Sequence, residues 1–197
     1  MAEPRVLVTG AASGLGRAAL RILGDVGVAL RREEADVRDY DAVSSFVGSL
    51  GALNGLVHCA GIASTGGLES DTEDFREMLD VNVTGTFNVV KAFVEHTDSG
   101  SIVLVASRAG MGPRPKWLGY AASKAAVISL AGSLAAELAP LYRVHCMAPG
   151  PIASPMRSRL VQNEYAELLT PEDAARSAIS LLHNPHRTDG APVVVVQ

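Results

Sequence analysis

The chain alternates short, nearly continuous apolar runs with longer stretches in which apolar residues recur at helical spacing. The runs are Val6-Leu7-Val8, Val26 to Leu30, Leu53 to His58, Ile102 to Ala106, Tyr142 to Met147 and Val193 to Val196. A strand with one face in water alternates apolar and polar residues. A run that is apolar at nearly every position is expected where both faces are covered. The helical stretches fall at about 14–24, 39–50, 71–96, 118–139 and 171–183. Asp71 and Thr170 stand where N-caps belong, and Pro171 fits a first helical position, where its missing N–H is no loss. Strands alternating with helices predict an α/β fold, a doubly wound parallel sheet with helices on both faces. No repeat, linker or low-complexity tract interrupts the pattern, so residues 1–197 read as a single domain.

Composition narrows the function. Of the 197 residues, 48% are hydrophobic and 19% charged, which excludes a disordered chain and supports a core needing no disulfide or metal staple. The net charge of −4 argues against a nucleic-acid partner. Cys59 and Cys146 form no CxxC, and His58, His96, His145, His183 and His186 show no metal-ligand spacing, so no metal site is expected. His58 and His145 lie in predicted strands and read as hydrogen-bonded structural residues; both cysteines read as small buried hydrophobes. No apolar run reaches the ~18 residues of a membrane helix. Met1 to Arg5 lacks a secretory core, so a cytoplasmic, membrane-free protein is expected.

Two motifs carry chemistry. Thr9-Gly10-Ala11-Ala12-Ser13-Gly14-Leu15-Gly16 follows the first strand and opens a helix. Such a turn lets a ligand approach without a Cβ in the way, and the free N–H groups of the helix start suit a pyrophosphate. It is otherwise an ordinary tight connection. Tyr120-Ala121-Ala122-Ser123-Lys124 sets a phenol and an ammonium one turn apart on one helix face. A nearby ammonium favours phenolate and lowers a tyrosine pKa from its usual ~10. A tyrosine so tuned protonates a carbonyl oxygen or takes a proton from an alcohol. Ser107 ends a predicted strand, at the sheet edge where ligands bind, and can bond the same oxygen. Alone, Tyr-x-x-x-Lys is also the pattern of a solvated helix face; beside the glycine turn and Ser107 it reads as chemistry.

Taken together, these residues resemble the short-chain dehydrogenases/reductases over nearly the whole chain. Thr9-Gly10-x-x-x-Gly14-x-Gly16, with Ser13 and Leu15, is similar to the family's cofactor turn, and Asp36-Val37 to its adenine-contacting pair. Cys59-Ala60-Gly61 stands at its Asn-Ala-Gly turn, with Cys59 replacing the asparagine. Ser107, Tyr120 and Lys124 match the catalytic triad, and Asn82 matches the fourth active-site residue, which helps hold Lys124 and a proton-relay water. Pro149-Gly150-x-Ile152-x-Ser154 looks like the segment that grips the nicotinamide carboxamide, with Ser154 where threonine is usual. The resemblance implies a Rossmann-type fold and an NAD or NADP cofactor. It implies hydride transfer between nicotinamide C4 and a secondary alcohol or ketone. Tyr120 is then the acid/base, Ser107 polarises the substrate oxygen, and Lys124 binds the ribose hydroxyls. The alternative is a non-redox isomerase, dehydratase or cyclase with weakened cofactor binding. Glu73-Asp74-Phe75 and Thr86-Phe87-Asn88-Val89 look most like the branch that oxidises 3-hydroxyacyl-CoA thioesters. A homodimer or homotetramer built on the helices near 71–96 and 121–138 is also implied; close packing within one subunit is the alternative.

The chain departs from the family after the second strand. Arg31-Arg32-Glu33-Glu34-Ala35 is too short for a parallel crossover, which takes a dozen or more residues. One edge strand and one helix are therefore expected to be lost, leaving six strands, with an edge that needs cover or a partner. That region normally holds adenosine. Arg31 and Arg32 suit a 2′-phosphate and favour NADP; alternatively they are solvated and pair with Glu33 and Glu34. The stretch after Met156 is short, which predicts a reduced lid, and the C-terminal extension that often completes a subunit contact in the family is expected to be missing. Between Ser107 and Tyr120, Trp117 is placed to cover the nicotinamide or the substrate, and Arg114 or Lys116 to attract an acidic group such as a phosphopantetheine arm. The plain alternative is an exposed, proline-stiffened loop.

Overall fold

The computed structural model describes residues 5–161, 167–184 and 193–196; His186 lies outside them. The six apolar runs form β1 (Arg5–Thr9), β2 (Gly27–Leu30), β3 (Leu53–His58), β4 (Gly100–Val105), β5 (Tyr142–Pro149) and β6 (Val193–Val196). They pair in parallel in the order β2-β1-β3-β4-β5-β6. The chain leaves β1 in one direction for β2 and returns to its other side for β3, so the order switches there and opens a crevice at the strand carboxyl ends. The helices are α1 (Gly14–Leu23), α2 (Tyr40–Ser49), α3 (Thr72–Leu79), α4 (Gly85–Glu95), α5 (Leu118–Glu137), α6 (Pro155–Leu160) and α7 (Pro171–Leu182).

Register explains the two-sided runs. Leu7, Leu56, Ile102 and Val144 stand side by side across four strands and face one way. They meet Val43 and Val47 of α2, Val89 and Phe93 of α4, and Val127 of α5. The neighbouring row Val8, Val57 and Val103 faces α1 and α7, whose Ala18, Ala19, Ala174 and Ala178 allow close approach. Asp71 and Thr170 cap as expected: Asp71 accepts from the Glu73 N–H and Thr170 from the Asp173 N–H.

Four expectations are corrected. The stretch 71–96 is not one uninterrupted helix: between α3 and α4, Asp80–Thr84 forms a π-helical turn, and Asn82 sits in it. A π turn slips the hydrogen-bond ladder by one residue, which hydropathy cannot register. His145 continues the row of Val8, Val57 and Val103 and is buried, yet neither ring nitrogen has a partner among the described residues. Burial pushes its pKa down and keeps it neutral. Cys59 is not core but lines a cleft, unlike the fully buried Cys146. Finally, α5 is long and apolar enough, by length and composition, to cross a membrane. Alanine and leucine, with Val127 and Ile128, supply that apolarity, and α5 packs against β4 and β5 with Ser123, Lys124, Val127 and Ala131 buried.

The lost strand and helix are replaced by a compact turn. Arg31 to Asp39 is folded by bonds from the Glu34 and Ala35 N–H groups to Arg31 O and from Asp39 N–H to Asp36 O. Ala35 and Val37 plug into the core. The Asn88 side chain, on α4, donates to both Val37 O and Arg38 O at 3.0 and 3.1 Å. This buried amide clamps the shortened connection in place. Asn88→Ala removes one donor from two carbonyls, with an expected cost of about 1–3 kcal/mol. Urea unfolding measures it; an unchanged midpoint would show that the clamp contributes nothing.

Candidate active site

A cleft of about 620 Å³ lies over the carboxyl ends of β1, β4 and β5. One wall is the glycine turn, Gly10, Ser13, Gly14, Leu15 and Gly16. Here a glycine is obligatory: a Cβ on Gly16 would stand 2.4 Å from Gly10 O. Ser13 is the N-cap of α1 by position, but its side chain bonds none of the helix N–H groups. The hydroxyl and the first N–H groups of α1 are left for a ligand. The opposite wall is Pro149, Gly150, Ile152 and Ser154. Ser154 caps α6 by accepting from the Arg157 N–H.

The floor carries the reactive groups. Ser107 follows β4 and accepts from the Ala109 N–H at 3.1 Å, which fixes its rotamer. Both Ser107 and Tyr120 line the cleft. Burial pushes the Tyr120 pKa up, and the nearby Ser107 hydroxyl and the positive charge of Arg157 offset part of the rise. Lys124 Nζ donates to Val105 O at 3.0 Å and stands 5.8 Å from the centre of the Tyr120 ring. Burial dominates Lys124 too and lowers its pKa to about 8. At Tyr120 burial outweighs the lowering influences of its neighbours, so the phenol lies above its ordinary value in the free protein. Cys59 borders the same space as an un-ionised thiol, pushed up to about 12 by burial.

Asn82 does not line the cleft. Its side chain is fully buried; Oδ1 accepts from Ile62 N–H at 2.8 Å, and Nδ2 donates to Ile62 O and to Ser123 Oγ, each at 2.9 Å. Ser123 in turn donates to Tyr120 O. Gly61 lies between this amide and Lys124: a Cβ there would be 3.0 Å from Asn82 Oδ1 and 3.4 Å from Lys124 Nζ.

Beneath the glycine turn runs a hydrogen-bonded chain that sequence reasoning missed. Thr9 Oγ1 accepts from the Cys59 and Ala60 N–H groups at 3.1 Å, so its own hydrogen goes to His58 Nδ1 at 2.9 Å. Thr86 Oγ1 donates to Asn82 O at 2.6 Å and therefore accepts from His58 Nε2 at 3.0 Å. These bonds fix the His58 tautomer. Burial, helped by Lys124, lowers its pKa to about 3, so it stays neutral. Ala60, read as a cofactor contact, gives its N–H to Thr9 and does not line the cleft.

The expected adenosine residues also lie outside the cleft lining. Arg31 pairs with Glu34 at 3.3 Å. Asp36 is held by Arg38 at 2.7 Å and Arg32 at 3.4 Å, and the bond to Arg38 lowers its pKa to about 2. Val37 is buried, with its carbonyl on Asn88. Lys116 is turned away to Glu69, whereas Arg114 and Trp117 do line the cleft. So do Arg108 and Arg157, which the sequence reading passed over although Arg108 directly follows Ser107.

A family model described as short chain dehydrogenase matches residues 33–165. A short chain dehydrogenase/reductase of Aspergillus versicolor is 40% identical over 151 residues, covering 68% of this chain and 52% of its own length. The chain thus spans about half of that relative. The 2,5-dichloro-2,5-cyclohexadiene-1,4-diol dehydrogenase of Sphingobium indicum is 31% identical over 95% of this chain and 87% of its own. A short chain dehydrogenase of Burkholderia cenocepacia, solved in complex with NADP, superposes with a TM-score of 0.84 at 26% identity, over 98% of this chain and 88% of that one. A matching family model, relatives aligned over most of the chain and the Ser107, Tyr120 and Lys124 geometry agree: the chain belongs to the short-chain dehydrogenase/reductase family.

Proposed function

We propose that the protein is an NAD(P)-dependent oxidoreductase that interconverts a secondary alcohol and its ketone. The observation that carries this is that Ser107, Tyr120 and the buried Lys124 line one cleft whose wall is an open glycine turn. The residues present fit a dinucleotide: Ser13 and the α1 N–H groups suit a pyrophosphate, and Lys124 Nζ suits ribose hydroxyls. Pro149, Gly150, Ile152 and Ser154 would hold the nicotinamide. When bound, that ring supplies the hydride acceptor or donor. Tyr120 then passes its phenolic proton to the carbonyl oxygen, or takes one from the alcohol. Ser107 holds that oxygen at bonding distance of the phenol. Asn82 acts at a distance, through Ser123 and Ile62, by fixing where α5 presents Tyr120 and Lys124.

For the cofactor, NADP is the better fit. Arg31 and Arg32 stand at the end of β2 in exposed ion pairs, which are worth only about 0–1 kcal/mol each and yield readily to a phosphate. The Burkholderia relative was solved with NADP. A second copy fits on the outer face of α4 and α5, where Val83, Phe87 and Leu130 border a groove and Phe87 is half exposed. A cytoplasmic location is consistent with two free cysteines.

Tyr120→Phe tests the assignment. It removes the transferable proton and keeps the ring, so turnover with NADPH and a panel of ketones should fall at least a thousandfold, with NADPH affinity within about threefold of the parent. Turnover retained by the variant would remove Tyr120 from the chemistry. The Lys124 pKa gives a second prediction. Ribose hydroxyls favour the ammonium, and the free protein loses that charge above about pH 8. NADPH should therefore bind evenly below pH 8 and weaken above it by up to about tenfold per pH unit. Calorimetry from pH 6.5 to 9.5 reads this directly; a flat profile would refute it.

A further inference from the structure

One turn beside the cleft carries a residue that its shape disfavours. Arg114-Pro115-Lys116-Trp117 is closed by the Trp117 N–H on Arg114 O at 3.1 Å. Pro115 fixes its own φ in the negative range, and Lys116 follows at φ +66°. A turn with that pair of φ values takes glycine at its third position, because a Cβ there is strained. Among the described residues Lys116 is the one non-glycine in the left-handed region. Such strain persists only where surrounding contacts hold it. Here those contacts join two loops. Lys116 O accepts from the Gly66 N–H at 2.7 Å, Gly66 and Trp117 form an isolated parallel bridge, and the Lys116 ammonium pairs with Glu69. The loop after β3 is folded tightly at that point: a Cβ on Gly66 would stand 1.7 Å from Ser70 Oγ.

What the turn delivers to the site is Trp117. Its indole lines the cleft with its ring centre 5.8 Å from that of Tyr120, and its carbonyl accepts the Ala121 N–H at 2.8 Å in the first turn of α5. The residue after a left-handed one takes its direction from that twist, so Lys116 sets where the indole goes. Glycine would serve the twist without strain; what lysine adds is its ammonium. The pair with Glu69 is exposed on both sides, so it contributes little to the fold, yet it ties the tip of one loop to the other. Building on the oxidoreductase reading above, we propose that Lys116 is a positioning residue: clasped to Gly66 and Glu69, it holds Trp117 as a fixed wall beside Tyr120, and that wall seats a ketone against the phenol. Lys116 does not line the cleft and acts only through Trp117. A wall already in place spares an incoming ketone the ordering of the indole, so the clasp serves binding and not the chemical step.

Trp117 is the single tryptophan of the chain, so its emission reports the wall directly. Glu69→Gln breaks the ion pair, and the double variant Glu69→Lys/Lys116→Glu restores it reversed. In Glu69→Gln, acrylamide quenching of Trp117 should rise at least twofold. With NADPH saturating, KM is read with whichever of cyclohexanone, acetophenone and 2-octanone the parent reduces fastest. It should rise two- to fivefold in Glu69→Gln, with kcat and NADPH affinity within twofold of the parent. The reversed pair should recover both quenching and KM. In a Trp117→Ala background, Glu69→Gln should leave KM unchanged, because no wall is left to misplace. Glu172→Gln, which breaks the exposed pair with Arg21 outside the cleft, should change neither reading. Unchanged quenching or an unchanged KM in Glu69→Gln overturns the proposal. So does a KM effect that persists without Trp117, or one that the reversed pair fails to recover. If none of the ketones is reduced, the oxidoreductase reading fails by itself, and quenching decides the clasp: a rise in Glu69→Gln that the reversed pair cancels supports it, and no rise overturns it.

Discussion

The amide of Asn82 uses both hydrogens, on Ile62 O and Ser123 Oγ, and turns its oxygen to Ile62 N–H. Those three bonds tie the segment after β3, the π turn between α3 and α4, and the first turns of α5 into one unit. Each segment carries part of the site: Gly61 beside Ile62, Asn82 itself, and Tyr120 with Lys124 on either side of Ser123. The Asn82 amide is itself fully buried, where an unmade bond costs about 1–3 kcal/mol, so the three segments are held to one another. The π turn is what points Asn82 inward. The Thr9–His58–Thr86 chain then fastens the backbone of that turn, at Asn82 O, to β1 and β3. A neutral His58 is required for this, because it must accept from Thr9 while donating to Thr86.

The shortened connection after β2 shows how a sheet can lose an edge without losing its site. The catalytic floor rests on β3, β4, β5 and α5, and no residue of the shortened turn lines the cleft. What changes is the far end of the cleft. Ala35 and Val37 fill the core, and Arg31, Arg32, Glu34, Asp36 and Arg38 satisfy one another at the surface. These pairs are exposed enough to rearrange at small cost, whereas the buried clamp from Asn88 to Val37 O and Arg38 O is not. The turn is thus firm in its backbone and adjustable in its side chains.

Much of this was legible in the sequence. Runs such as Leu53 to His58 announced strands covered on both faces, and the few residues between Leu30 and Asp36 announced the missing strand and helix. Ser107, Tyr120 and Lys124 could be named because spacing four on a helix and the end of a strand are local geometry. Distances were not local. Lys124 is drawn to Val105 O on β4, and how deeply it and Tyr120 are buried depends on the packing of the whole sheet. The slip that makes a π turn at Asn82 is set by Ile62 and Ser123, which lie far from it in sequence. Arg157 was overlooked because α6 is a single short helix whose place depends on its cap at Ser154 and not on any periodicity. Asp36 read as an adenine contact only while Arg38, two residues on, was not seen closing over it.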